Sequence, residues 1–310
     1  MSLRVKRAGT CSLLVDAGRP HSLHLGLPYS GPADVTSWQL GNALVGNMQP
    51  EEMTALEVSL LGPVLEATDS HEVVVFGTPF ELKLQRANLD RVSLQTGHTF
   101  HMEAGDTLHI NGLLGNHGMR AYVCVKGGFQ TPLIMESTSA LEPLKNNTPL
   151  EALPSPARRS RWVKLDPWPD APPLHSIRML PGTHLTKVLR TQLQKARFEV
   201  KSESNRMGLR LTSNIELNSD VAELVSAPVT PGTLQLPAGG QPLLLGVEAQ
   251  TIGGYPRLGH VITPDLDQIG QLRPGATLRF QLIELEQAQQ LGESRSQWLA
   301  HWLQRIHLAP

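Results

Sequence analysis

Pro231-Gly232-Thr233-Leu234-Gln235-Leu236-Pro237-Ala238-Gly239-Gly240-Gln241-Pro242 leads into the apolar run Leu243–Val247. Glu248-Ala249-Gln250-Thr251-Ile252-Gly253-Gly254-Tyr255-Pro256 follows. Two short apolar segments bounded by Gly and Pro read as strands joined by turns. The same grammar recurs outward along the chain, at Ser12–Val15, Glu72–Phe76, Phe80–Leu84, Thr107–Ile110, Ala121–Val125 and Thr277–Leu282. Many short strands among 27 Gly and 24 Pro predict a barrel or sandwich.

Three helices are expected against this β background. The first spans about Ala33–Leu44, with Pro32 suited to a first turn and Gly46-Asn47 to a stop. The second spans Thr183–Ala196, where Leu185, Val188, Leu189 and Leu193 fall at helical spacing. The third is the tail, Glu284–Ile306, in which Trp298, Trp302 and Ile306 recur every four residues as a docking stripe. Pro154–Pro173 is proline-rich and carries Arg158, Arg159 and Arg161, which reads as a solvated linker. The expected organisation is therefore a β-rich half over 1–153, a linker over 154–173, a β-barrel half over 174–285 and an amphipathic helix over 286–310.

Composition excludes several classes. Of 310 residues, 40% are hydrophobic and 18% charged, which supports a packed core and argues against disorder. A net charge of −1 offers no basic field for nucleic acid or anionic lipid. Cys11 and Cys124 make no disulfide framework, and a reducing, cytoplasmic setting is expected. No apolar run is long enough to span a membrane. GxSxG, GxxxxGK[ST], HExxH and GxGxxG motifs are absent, which disfavours an ordinary serine hydrolase, P-loop or Rossmann enzyme.

Four histidines fall between Gly97 and Gly118: His98, His101, His109 and His117. Ligands on one strand face need even spacing, and His98 with His101 is odd. No carboxylate pair completes a triad, so surface histidines are the simpler reading and no metal site is expected. Asp16-Ala17-Gly18-Arg19 opens a loop holding His21 and His24. That set suits an anionic substrate, or equally an Asp turn with a local salt bridge. Arg206 follows a polar turn at Ser204-Asn205, where a lone Arg is usually structural. Gly253-Gly254 lets a ligand or another backbone approach closely, and Gln250 and Thr251 offer neutral donors and acceptors suited to amide or ureido groups. Tyr255 adds a ring face and a hydroxyl.

Several of these segments, in order, resemble one family. Ser204–Gly208, Gly232–Pro237, Gln250–Pro256, Asp265-Leu266 and Gln271–Gly275 resemble its Ser-Asp-Arg-Met-Gly, Gly-x-x-Gln-x-Pro, Gln-Thr-x-Gly-Gly-Tyr-Pro, Asp-Leu and Gln-x-x-Pro-Gly motifs. Asp16–Arg19, Gly31–Asp34, Asn42–Asn47, Glu57 with Gly62-Pro63, and Gly118–Gly128 extend the likeness over about residues 3–285. The family is that of the C subunit of 5-oxoprolinase and of allophanate hydrolase subunit 2, with KipA-like and biotin-dependent carboxyltransferase members.

The resemblance implies a mainly β fold of two barrel-like halves, cyclophilin-like. It implies a component of an ATP-dependent 5-oxoprolinase-type or carboxyltransferase-type complex, a hydrolase or transferase acting on a small cyclic amide or urea-like substrate. Its partner would be a subunit-B protein, akin to allophanate hydrolase subunit 1 or KipI, with a third, A-type subunit as a further candidate. ATP would be used in the complex, and biotin would come from another chain, since no Met-Lys-Met acceptor is present. Arg206, Gln250 and Tyr255 are the implied catalytic residues. Arg19, Asp34, Asn42, Gln235, Thr251, Gly253 and Gly254 are the implied substrate-binding residues. The alternative is a non-catalytic KipA-like regulatory module or a degenerate scaffold. Departures from the family pattern stand at Glu136, Thr138, Asn205, Glu248 and Ala249. Replacing an Arg by Thr138 removes a bidentate anion clamp, and Asn205 stands for a carboxylate.

Overall fold

The computed structural model describes residues 3–139, 142–157, 159–163, 174–217 and 224–308. Within the expected linker, Arg158 and residues 164–173 lie outside the described residues, as does Ala140 of the 136–140 segment. Residues 1–18, 34–167 and 299–310 group as one compact unit, and 19–33 with 168–298 as the other. The expectation followed chain order, and the observed units interleave. The reason is local: the Ser30 amide donates to Val247, while Arg161 donates to the Ile306 carbonyl.

The first unit contains twelve described strands. They are β1 (Leu3–Arg7), β2 (Cys11–Val15), β3 (Ala55–Ser59), β4 (Val64–Ala67), β5 (His71–Gly77) and β6 (Phe80–Gln85), then β7 (Arg91–Leu94), β8 (Thr99–Met102), β9 (Thr107–Leu113), β10 (Arg120–Val125), β11 (Phe129–Gln130) and β12 (Pro149–Ala152). They form a seven-stranded sheet, β11-β12-β1-β4-β9-β6-β7, and a five-stranded one, β2-β3-β10-β5-β8. Alternation sends Leu82, Leu84, Leu108 and Ile110 from the first and Leu56, Val58, Val73 and Val75 from the second into one core.

Helix α1 (Val35–Leu44) lies against β5 and β10. A side chain at Gly41 would meet Cys124 Sγ at 2.9 Å, so glycine permits this close seat. Asp34 caps the helix by accepting from the Ser37 amide at 3.0 Å and its hydroxyl at 2.6 Å. At the other end Gly46 takes φ of 81°, with Asn47 N bonded to Asn42 O, a left-handed stop. Beneath the start of α1 runs a buried polar chain. The Asp34 amide donates to Tyr122 Oη (2.8 Å), which donates to Glu57 Oε2 (2.8 Å), while Glu57 Oε1 meets Arg120 Nε at 3.2 Å. Burial and then the neighbouring carboxylates push the Tyr122 phenol far above its usual range, so it stays a donor.

Part of the expected linker is laid against this unit rather than solvated. Ser155 Oγ receives the Glu72 amide, and Thr99 exchanges backbone and side-chain bonds with Arg161. The Arg161 guanidinium donates to the Leu44 carbonyl and, more closely, to that of Ile306, so one cation serves two helix ends.

The second unit is a closed barrel. Its strands are β13 (His175–Pro181), β14 (Phe198–Val200), β15 (Gly208–Ser213), β17 (Thr233–Gln235), β18 (Leu243–Leu245), β20 (Arg257–Val261) and β21 (Thr277–Leu282); β16 (Ala227–Pro228) and β19 (Ile252–Gly253) pair separately. The order is β13-β20-β17-β18-β15-β14-β21, closed by parallel pairing of β13 with β21. Ile177, Leu211, Leu234, Leu244, Leu258 and Phe280 fill the interior. Helix α2 (Lys187–Lys195) adds Leu189 and Leu193, and Thr186 caps it. Helix α3 (Thr263–Gln271) was not expected, because Pro264 and Gly270 punctuate a stretch of only nine residues. Asp265 at its start accepts from the Arg178 amide at 2.7 Å and pairs with its guanidinium. The last helix, α4 (Leu285–Leu308), matches the expected tail, with Ile306 buried and Trp298 and Trp302 each beneath an arginine, Arg295 and Arg305.

The mainly β expectation with few helices therefore holds. Tyr122→Phe should cost about 1–3 kcal/mol, because it strands a buried carboxylate oxygen and a buried amide. A urea-denaturation midpoint that fails to fall would show the chain from Asp34 to Arg120 to be dispensable.

Candidate functional site

The site is built on the outer face of the barrel. In the β17–β18 ladder Leu234 pairs with Leu244, and Gln235 with Leu243. Because successive side chains alternate, Leu234 and Leu244 point into the barrel core and Gln235 and Leu243 point away from it. Outside, Leu243, Leu245, Val229 and Ala249 make a small second core. Gln235 lies 0% exposed, yet neither its Oε1 nor its Nε2 has a hydrogen-bond partner among the described residues.

What covers Gln235 is a two-stranded flap. Ala227 pairs with Gly253 and Pro228 with Ile252, flanked by Val229 N to Thr251 O (2.9 Å) and Leu224 N to Gly254 O (2.8 Å). A Cβ on Gly253 would stand 2.7 Å from Gln235 Nε2 and 3.2 Å from Gln250 Nε2. Two carboxamides thus converge on one bare α-carbon. A Cβ on Gly254 would meet the Leu224 carbonyl at 2.6 Å, so this second glycine serves the flap. Gln250 is exposed, Thr251 buried and Tyr255 half-buried. Tyr255 lines an adjoining cleft of about 410 Å³ with Arg210, Pro237, Gln241 and Leu243.

Arg206 stands apart from the role expected of it. Its buried guanidinium donates from Nε to Glu248 Oε1 at 2.6 Å and from Nη2 to the Gly31 carbonyl at 2.6 Å. A cation so engaged braces the turn at Glu248 and the 19–33 segment, and is not an open anion clamp. Arg19 is buried, with its amide bonded to Tyr29 O, and Ser30 is held by Val247. Sequence reading took Glu248 only as a departure; a carboxylate 42 positions from a buried Arg carries no local signal.

Asp34 and Asn42 are fully buried in the first unit, where α1 uses both. Asp34 is the cap described above. Asn42 donates to Trp38 O and accepts from Asn47 Nδ2 at 3.0 Å. These side chains serve the fold, and an exposed substrate does not reach them as they stand. Asp16 takes the turn reading. Its carboxylate accepts from Ser137 Oγ, Thr138 N, Ser139 Oγ and Gly18 N. Burial pushes this carboxyl up, but those four donors outweigh it and hold its pKa below the usual value. Thr138, where the family pattern has Arg, bonds Thr54 at 2.7 Å. The histidines scatter: His98 stacks on Trp162, His101 faces Glu72 at 3.8 Å, and His109 sits in the other sheet. Among the described residues no group of three or more His, Cys, Asp or Glu is placed to hold a metal ion. No helix among them is long and apolar enough to cross a membrane.

A paired two-sheet and closed-barrel fold with an amide-lined outer turn defines a class. The chain matches the family described as carboxyltransferase domain, subdomain A and B, over residues 25–282. It belongs to that family. It is similar to the C subunit of 5-oxoprolinase from Escherichia coli strain K12, 30% identical over 98% of this chain and 99% of that protein. Among solved structures it resembles TTHA0988, at 32% identity and a TM-score of 0.78, over 90% of this chain and 55% of that one. It thus spans just over half of that longer chain. Kluyveromyces lactis urea carboxylase, 23% identical, shares the fold with a TM-score of 0.84 over 100% of this chain and 30% of that one.

Two outcomes follow. Gly253→Ala should displace both carboxamides and lower the thermal midpoint by several degrees, since a contact of 2.7 Å admits no Cβ. An unchanged midpoint would refute the convergence. Asp16 contributes stability above the usual carboxylate pKa of about 4, and that contribution is lost as pH falls through its lowered folded value. Asp16→Asn should therefore destabilise at neutral pH, with the gap to wild type closing in acid, as read by denaturation at pH 7 and pH 3.

Proposed function

We propose that this chain is one component of an amide- or urea-processing complex, of the 5-oxoprolinase or carboxyltransferase type. It acts on a small cyclic amide or urea-like substrate together with a subunit-B partner. The observation that carries this reading is the meeting of the Gln235 and Gln250 carboxamides at Gly253. An amide or urea is neutral and planar, with adjacent N–H and C=O groups. Its natural complement is another neutral amide rather than a charge. Arg206, shared between Glu248 and Gly31, leaves the site uncharged. In the adjoining cleft Arg210 would serve an anionic substituent. The Gln N–H groups would orient the substrate carbonyl and stabilise negative charge as it develops on oxygen. Relatives named as the C subunit of 5-oxoprolinase and as urea carboxylase support the reading.

The site residues do not fit a triphosphate, since the nearest buried cation is already paired. ATP in this reading belongs to another chain of the complex. A biotin ring carried by a further chain fits better: its ureido group is neutral, and Gln235 and Gln250 would hold it. When bound it would supply the carboxyl group for transfer.

The test is co-expression with genomic-neighbour partners, followed by assays of ATP-dependent 5-oxoproline opening and of urea carboxylation. Turnover of one is expected, with Gln250→Ala lowering kcat by about 10²-fold. A complex that assembles and turns over neither overturns the reading and favours a regulatory module.

A further inference from the structure

Gln235 poses a problem the fold does not solve. Buried polar side chains are almost always hydrogen-bonded, and leaving one unpaired costs about 1–3 kcal/mol. Leucine would suit the place better, since Val229, Leu243, Leu245 and Ala249 already pack there. The cover over Gln235 is slight. Its ladder has two residue pairs, and one of them contains Pro228, which has no N–H to donate. Val225 is 94% exposed and Ile252 59%, so little apolar burial holds the flap down. A two-stranded ribbon of this kind is marginal by itself and belongs to the low-stability end of a fold. The barrel strands beneath carry the interior core and open only with the whole unit.

We propose that the flap formed by Leu224–Val229 and Gln250–Gly254 is a gate. It lifts to admit the substrate, and the Gln235 carboxamide then pairs with the planar N–H/C=O edge of that substrate. The pairing rests on the amide-processing reading above; the gate does not. A lactam or ureido ring places N–H and C=O side by side, which matches the N–H and C=O of a primary amide in two parallel bonds. A lactone of the same shape lacks the N–H and leaves Gln235 Oε1 unsatisfied. Sites built to hydrogen-bond an N–H reject analogues without it strongly. Closing the flap over the pair excludes water and strengthens both bonds. The unpaired state is then the resting state, held under strain that the substrate relieves.

Hydrogen exchange read by mass spectrometry tests this on the intact chain, with 5-oxoproline and the matched lactone carboxylate as probes. The Leu224 and Val229 amides should exchange about 100-fold faster than those of Leu234 and Leu244. 5-Oxoproline should slow the flap, and the lactone should not. In Gln235→Leu the 5-oxoproline effect should vanish while the ligand-free thermal midpoint rises. Flap amides that exchange only together with the barrel overturn the gate. Equal slowing by the lactone, or slowing retained in Gln235→Leu, overturns the pairing. Because exchange is read without turnover, an inactive complex with a lifting flap would remove the amide-processing reading and leave the gate standing. Turnover retained in Gln235→Leu would do the reverse.

Discussion

Closing seven strands into a barrel removes every sheet edge but leaves an outer face that alternation fills whether or not water is welcome there. Leu234 and Leu244 point inward, so Gln235 and Leu243 must point outward. That outer face is half apolar and has to be covered. The flap and its small core of Val229, Leu245 and Ala249 supply the cover. The candidate site is therefore a by-product of barrel closure. It sits where a second layer, thinner than the first, is laid over the outward side chains of two strands.

The charged residues are disposed in a way that fits this. Buried ions are expensive unless paired. Here Arg206 meets Glu248, Arg178 meets Asp265, and Arg120 meets Glu57 under Tyr122. Asp16 is balanced by neutral donors from Ser137 to Ser139. Each pair braces a turn or a helix start. Gln235, Gln250 and Thr251 remain as polar groups on the flap side, and all are neutral. Recognition there rests on hydrogen-bond direction and on exclusion of water, not on field.

The departures from the family pattern have local structural answers. Thr138 bonds Thr54, and the Asn205 side chain closes its own turn onto the Met207 amide at 2.8 Å. Glu248 is the partner of Arg206, and Ala249 belongs to the small outer core. None of the four leaves a described cation or carboxylate stranded. The substitutions are absorbed where they stand, with the Gln250–Gly254 turn intact beside them.

The sequence by itself determined the β class, most strand positions and the ends of α1, because alternation, glycine stops and capping are local signals. It also marked Gln235, Gln250, Gly253, Gly254 and Tyr255 as a set, through ordered motifs that a single chain can display. It could not show that Asp34 and Asn42 are consumed by a helix, since a cap and a ligand-binding carboxylate look alike in one dimension. It read Arg206 as a free cation, because Glu248 and Gly31 lie 42 and 175 positions away. It missed α3, whose Pro264 and Gly270 resemble loop punctuation until a packed neighbour requires the small residue. Only tertiary structure decided which polar groups found partners. Pairing depends on distance in space, and it left Gln235, alone among the fully buried side chains just named, with none among the described residues.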